Sequence, residues 1–512
     1  MPSPRPNILL ITSDQQHWNT LGATNHTIQT PALDRLCTEG TRFTRAYCNN
    51  PVCTPSRATI ITGMYPAWHG AWTIGVKLPE DVPTVGDVFG QHGYATALIG
   101  KAHFQPLASV PGSESLEAQP TLRDLDFWRD FHGPWYGFQH IEVARNHADE
   151  SHVGQHYALW MEERGLANWR DYFQPWPPLA PADRAQSRQY GRQHVWDLPQ
   201  ELHYTTWTAE RTIAHIEQCV TQKQPFFTWA SFHDPHPAYL VPEPWASMYD
   251  PEEMEPGEFV PGEFDRMPPH FGKTRETQPD VSMYQETRHG NHGLHSHLHD
   301  PASLRRDMAV YYGMISFMDQ QIGRILDALD RLAIANNTLV VFTTDHGHFL
   351  GQHGLIAKGP FHYEDLLKLP FIVRYPGRVP RGRTHDALQA LVDLAPTFLA
   401  AADIPVPGIM QGVNQLPVWQ ATAECVRHNV IVENRHQPTA VHLRTYIDER
   451  YKLTVYRDQP YGEVFDLETD PDERRNRWDD PDCGALKGEL LHRFVNAELQ
   501  REPTRMDRIA NA

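Results

Sequence analysis

The sequence predicts an α/β fold: a doubly wound, mostly parallel sheet flanked by helices, with a smaller C-terminal antiparallel sheet plus helix. Three observations carry that prediction. Apolar runs at 7–12, 94–99, 225–232 and 338–343 show no alternation, as strands buried on both faces require. Helical patterns at 84–92, 206–219 and 304–332 precede the last three runs, and the longest puts Met308, Tyr311, Ile315, Met318, Ile322 and Ile325 on one face. Short strands at 429–433, 440–444, 451–456 and 463–467 then follow at close spacing and read as an antiparallel sheet before a helical tail at 486–499. At 512 residues the chain exceeds what one core supports, so the expected division is 1–395 for a large α/β domain and 396–512 for a C-terminal α+β subdomain.

Taken in order, each buried run delivers polar residues at its end. Asp14 and Gln15 follow the first, Lys101 and His103 the second, His233 and His236 the third, and Asp345 and His346 the fourth. Ligands of open α/β sheets sit beyond the carboxyl ends of the strands, so these residues are expected to converge. Two stretches, about 105–205 and 237–302, read as insertions of weak periodicity. The second holds His289, His292, His295, His297 and His299, which lack helical spacing and read as a solvated loop over the site rather than a metal-binding tract.

Bulk properties exclude several classes. A formal charge of −18 speaks against nucleic acid or an anionic membrane surface as partner. An anionic substrate then requires a local concentration of cations. Fourteen Trp and 43 Pro point to long ordered loops, since that aromatic content does not suit a solvated coil. Six cysteines without a CxxC pair give neither a zinc ribbon nor a disulfide framework. The first apolar run is too short for a secretory signal and no run approaches a membrane span, so a cytoplasmic location is the expectation.

The stretch from Cys53 to Gly63 carries the chemistry. Thr54 reads as an N-cap, Pro55 as the first helical position and Gly63 as the terminator. Cys53 would then face the free N–H groups of a short helix, which favour anions and lower a thiol pKa, with Arg57 adding a fixed cation. Cysteine phosphatases space their arginine further from the nucleophile than the four positions from Cys53 to Arg57.

The string Cys-Thr-Pro-Ser-Arg-Ala-Thr-Ile-Ile-Thr-Gly at 53–63 resembles the full signature of the formylglycine-dependent sulfatases, in the alkaline phosphatase superfamily. The resemblance extends to Arg444-Thr-Tyr-Ile and Glu463-Val-Phe-Asp-Leu in the C-terminal part. It implies hydrolysis of a sulfate monoester. Cys53, oxidised to formylglycine by a maturation enzyme, would supply the hydroxyl that attacks sulfur in line. Asp14, Gln15, Asp345, His346 and the modified Cys53 would hold one divalent cation, calcium by family habit, with manganese or zinc suited to the imidazole of His346. The Asp-Gln and Asp-His pairs resemble the choline-sulfatase-like and phosphonate monoester hydrolase members. Lys101 and Lys358 match the lysines that hold the sulfuryl oxygens, and Arg57 the arginine beside the attacking oxygen. His236 matches the histidine that binds and protonates the leaving oxygen. His103 matches the one that takes the remaining hydroxyl proton so that sulfate leaves.

One departure stands out. Relatives place an asparagine after the signature where this chain has Ile74, in His69-Gly-Ala-Trp-Thr-Ile-Gly75, which implies an altered substrate set or a contact from elsewhere. A phosphonate monoester or phosphodiester hydrolase with the same nucleophile is the alternative. Those enzymes share the Asp-Gln and Asp-His pairs but generally lack the Lys-x-His that stands here at 101–103. A relict, non-enzymatic site fits poorly with the intact string and both lysines. The expected partner is a small-molecule or saccharide sulfate ester, for which Trp68 and Trp72 offer stacking surfaces; a homo-oligomer is left open.

Overall fold

A computed structural model describes residues 5–175, 194–285, 293–437, 440–503 and 508–510; His289 and His292 lie outside them. The central sheet has eight strands: β1 Asn7–Ser13, β2 Thr41–Phe43, β3 Ala95–Gly100, β4 His140–Val143, β5 Phe226–Ser231, β6 Thr338–Thr344, β7 Ile372–Arg374 and β8 Arg383–His385. Their order is β8-β2-β7-β6-β1-β5-β3-β4, and only β7 runs against the rest. The four unalternating runs are β1, β3, β5 and β6, adjacent in the middle of the sheet.

Their composition follows from being covered twice. Ile8 and Leu10 of β1 enter one apolar cluster with Phe227, Trp229, Leu339 and Val341. Leu9 and Ile11 enter the opposite cluster with Phe226, Ala230, Val340 and Phe342. Each fully buried side chain of this size contributes about 2 kcal/mol by leaving water. Helices that cover the sheet and its loops include α1 Pro31–Glu39, α2 Cys53–Thr62, α3 Val85–Gln91, α4 Tyr204–Thr221, α5 Pro301–Arg331 and α6 Leu394–Ala401. Thr84 caps α3 through a reciprocal box with Asp87, and Asp300 caps α5 by accepting from the Ser303 amide.

The C-terminal sheet is antiparallel, in the order β9 Val430–Gln437, β10 Val441–Ile447, β11 Tyr451–Tyr456, β12 Gly462–Asp466, and is followed by α7 Gly484–Gln500. The stretch at 105–205 also contributes to the main sheet, because β4 pairs in parallel with β3. In the second insertion the described histidines divide. His295 and His299 are exposed, whereas His297 is buried, shares a hydrogen bond with Gly293 O and accepts from the Ile356 amide, so part of this tract is packed rather than solvated. Among the described residues no helix is long and apolar enough to cross a membrane.

Candidate active site

Five neighbouring parallel strands, β6, β1, β5, β3 and β4, end on one edge, and each gives up its ladder to a polar loop. The crossing is tight at Gly100. A Cβ there would lie 1.9 Å from Ser231 O, and its φ of +108° favours glycine, so the strand turns into Lys101 only because no side chain intervenes. Lys101 N then donates to Ser231 O at 2.9 Å.

Helix α2 lies across this edge with every residue buried. It begins at Cys53, two positions earlier than the capping pattern suggests. Val52 holds the N-cap position without a side-chain bond, and Ser56 N closes on Val52 O at 3.1 Å. Thr54 is therefore inside the first turn, and Cys53 belongs to the set of free amides rather than facing it. Gly63 ends the helix in the left-handed conformation, its amide bonded to Thr59 O.

All ten residues singled out from the sequence reach this edge. Asp14, Cys53, Asp345 and His346 offer ligand atoms that lie within 4.8 Å of one another, all buried. Cys53 Sγ is 3.2 Å from His346 Nε2, 3.2 Å from Lys358 Nζ and 3.8 Å from Asp14 Oδ1. Lys101 Nζ is paired with Asp14 Oδ2. Arg57 donates from Nε to Asp345 Oδ2 at 3.0 Å and from NH1 to Lys101 O and Ser231 Oγ. Gln15 Oε1 accepts from Lys358 Nζ at 2.8 Å, and His236 Nε2 is 3.4 Å from the same ammonium.

Electrostatics follow from the cations. Burial opposes ionisation of Cys53, but Lys101 and Lys358 outweigh it and bring the thiol down to about 6. Burial likewise opposes the charge of Asp14, yet Lys101, with His236, His147 and Arg57, holds it well below the usual carboxylate range. Burial, then His147 and Lys358, push His236 well below the ordinary imidazole value. His103 is depressed by burial, Arg145 and Lys101. Its Nε2 faces Arg145 NH2 at 2.9 Å, and because a guanidinium only donates, that nitrogen carries the lone pair and Nδ1 the hydrogen.

The donor set suits a divalent cation. Two carboxylates and the Gln15 amide oxygen are hard ligands, and His346 is oriented for the task. Its Nδ1 bonds Gly347 O at 3.0 Å, which leaves the Nε2 lone pair facing Asp14 and Cys53.

Several neighbours are absent from the sequence reading. Arg145, His147 and Glu150 come from the loop after β4, where His147 Nε2 lies 3.5 Å from Asp14 Oδ2. His348 Nδ1 pairs with Gln15 Nε2 at 2.8 Å. The signal for the first three was the strand-then-polar-loop pattern repeated at 140–150, and for His348 its place two residues beyond His346.

The model of the Sulfatase family matches residues 6–404, and that of the C-terminal region of N-sulphoglucosamine sulphohydrolase matches 351–500. The chain belongs to the sulfatase family. It is a sulfuric ester hydrolase. An uncharacterized sulfatase, YidJ, of Escherichia coli is 28% identical over 93% of this chain and 84% of its own length. An arylsulfatase of Clostridium perfringens is 28% identical over 92% of this chain and 90% of its own. Among solved structures, the phosphonate monoester hydrolase from Silicibacter pomeroyi superposes with a TM-score of 0.79 at 23% identity, covering 98% of this sulfatase and 96% of that chain, a likeness of fold. Family membership implies a metal ion and a formylglycine nucleophile, and the strand-end cluster is a site able to hold the ion.

Proposed function

We propose that this sulfatase hydrolyses a sulfate monoester, small-molecule or saccharide, at Cys53 matured to formylglycine, within the 1–395 domain. Asp14, Gln15, Asp345, His346 and residue 53 would hold the divalent cation, calcium by family habit. When bound, the ion supplies Lewis acidity to the attacking hydroxyl of residue 53. The observation that carries the reading is the pair of lysines meeting at residue 53, Lys358 Nζ at 3.2 Å from Sγ and Lys101 on Asp14, where they lower its pKa.

The chain's own groups account for the remaining demands. Lys101 and Lys358 hold sulfuryl oxygens and oppose the charge that grows on them. Arg57, fixed by Asp345, Ser231 and the Lys101 carbonyl, cannot swing away and keeps a cation under the attacking atom. His236 donates Nδ1–H to Pro237 O, so Nε2 is the atom that hands a proton to the leaving oxygen. Burial and cations depress its pKa, so the free ring favours the neutral form, and an anionic ester bound beside it offsets those cations and favours the proton on Nε2. His103 takes the last proton only when its Nε2 lone pair is released from Arg145.

Mass spectrometry of the peptide spanning position 53 and a sulfate-release assay test the reading; an unmodified thiol in active enzyme would refute it. The phosphonate alternative draws on the Asp14-Gln15 and Asp345-His346 pairs and is opposed by Lys101-Ala-His103. Comparing kcat/KM for an aryl sulfate and an aryl phosphonate decides between them, with a higher value for sulfate expected.

A further inference from the structure

His147 enters the site from β4 and matches none of the roles above. Its ring stacks on that of His236, centroids 3.7 Å apart and planes inclined by 16°. Nδ1 lies 3.0 Å from Glu150 Oε2, and the same oxygen accepts the His147 amide at 3.0 Å. An ionised carboxylate only accepts, so Nδ1 carries a hydrogen toward Glu150. Nε2 is buried, meets no hydrogen-bond criterion among the described residues, and faces Asp14 Oδ2 at 3.5 Å. His147 is thus gripped on one edge and presents a flat face to its neighbour.

His236 needs such a face. It is only half-buried, on a loop beyond β5, and its polar contacts are its own neighbour's carbonyl at 2.5 Å and Lys358 Nζ at 3.4 Å. A single bond through Nδ1 leaves the ring free to pivot about it, and a pivot carries Nε2 off the line to the leaving oxygen. A ring packed flat at 3.7 Å blocks that motion.

We propose that His147, braced by Glu150, is a positioning residue that holds the imidazole of His236 in the plane from which it protonates the leaving oxygen. The inference rests on His236 being the leaving-group acid. Acid catalysis matters in proportion to the basicity of the leaving oxygen. An alkyl sulfate needs the proton, whereas 4-nitrophenyl sulfate leaves as a stabilised anion without it. Loss of positioning therefore acts selectively on the alkyl ester.

The experiment compares kcat on hexyl sulfate and 4-nitrophenyl sulfate for the full chain, produced together with a formylglycine-generating enzyme, and for His147→Ala, Glu150→Gln, His236→Ala and the His147→Ala/His236→Ala double variant. The ratio of the two esters within one preparation cancels differences in folded or matured fraction. His236→Ala should lower the hexyl-to-aryl ratio roughly a hundredfold, as loss of a general acid does. His147→Ala should lower it about tenfold with KM little changed, and Glu150→Gln about threefold, as misplacement of a working group does. The double variant should match His236→Ala alone, because His147 has nothing left to position. An unchanged ratio in His236→Ala refutes the acid assignment itself. A selective His236→Ala together with either an unchanged ratio in His147→Ala or a further drop in the double variant overturns the positioning role.

Discussion

Two of the buried charge clusters among the described residues are built oppositely. At the strand ends, Arg57, Lys101 and Lys358 face the carboxylates of Asp14 and Asp345, with the thiol of Cys53 among them. Beside the C-terminal sheet, Lys452 of β11 meets Glu364 at 3.5 Å and Glu473, and Glu463 of β12 accepts from Tyr456 OH at 2.5 Å. The first has more cations than carboxylates, the second more carboxylates than cations. A buried excess of positive charge lowers the pKa of whatever acid enters it, as at Cys53. A buried excess of carboxylates is relieved by keeping protons. Burial pushes Glu463 up to about 7 against the opposing effects of Tyr456 and Lys452. One cluster is arranged to receive an anion; the other is closed on itself and holds two parts of the chain together. Burial alone therefore does not mark a functional site, and the sign of the surplus does.

The contrast can be broken at several points. Cys53→Ala should abolish sulfate release, a loss on the order of 10⁵-fold or more as for removal of other nucleophiles, with the melting temperature nearly unchanged. A variant that kept turnover would remove the strand-end cluster from the chemistry. Asp345→Asn takes a carboxylate from the surplus-cation side and leaves Arg57 Nε without its charged partner at 3.0 Å. It should weaken binding of added divalent cations, measured by calorimetry, roughly a hundredfold or more, and cost about 3 kcal/mol of stability in denaturant titrations.

The C-terminal cluster should respond in the opposite sense. The folded pKa of Glu463 is raised, so its favourable contribution is complete below the unfolded value and is lost as pH rises through about 7. Glu463→Gln should be more stable than the parent above pH 7, by on the order of 2 kcal/mol, and should flatten the decline of melting temperature between about pH 4.5 and 7. A variant less stable than the parent at pH 8 would mean that the carboxylate is held charged. The smallest effect belongs to Tyr456→Phe, which deletes the 2.5 Å bond to Glu463 and should cost about 1 kcal/mol without altering kcat.

What could be read in advance follows the same physics. The runs of β1, β3, β5 and β6 are apolar on both faces because helices cover both, so they stand out without knowledge of their partners, and the polar residues after them can be expected to converge. The edge strand β4 is different. His140 and Glu142 alternate with Ile141 and Val143: His140 is half-buried, and Glu142 is buried in a pair with Arg211 of α4. That alternation hid the strand within an apparent insertion, and with it Arg145, His147 and Glu150. The expected start of α2 lay two residues too late because Thr54 and Pro55 mimic a cap, whereas tertiary burial of the whole helix sets its first turn at Cys53.

The complete enclosure of α2 has a consequence for the life history of the chain. A sulfate group has only to reach the tip of one side chain, but an enzyme that remodels residue 53 must grip the backbone around it, and here Val52, Thr54 and Pro55 are all inside. On the proposed maturation of Cys53, the alteration would have to precede closure of this segment, and the active fraction of a preparation would be decided in the race between the modifying enzyme and the closing sheet.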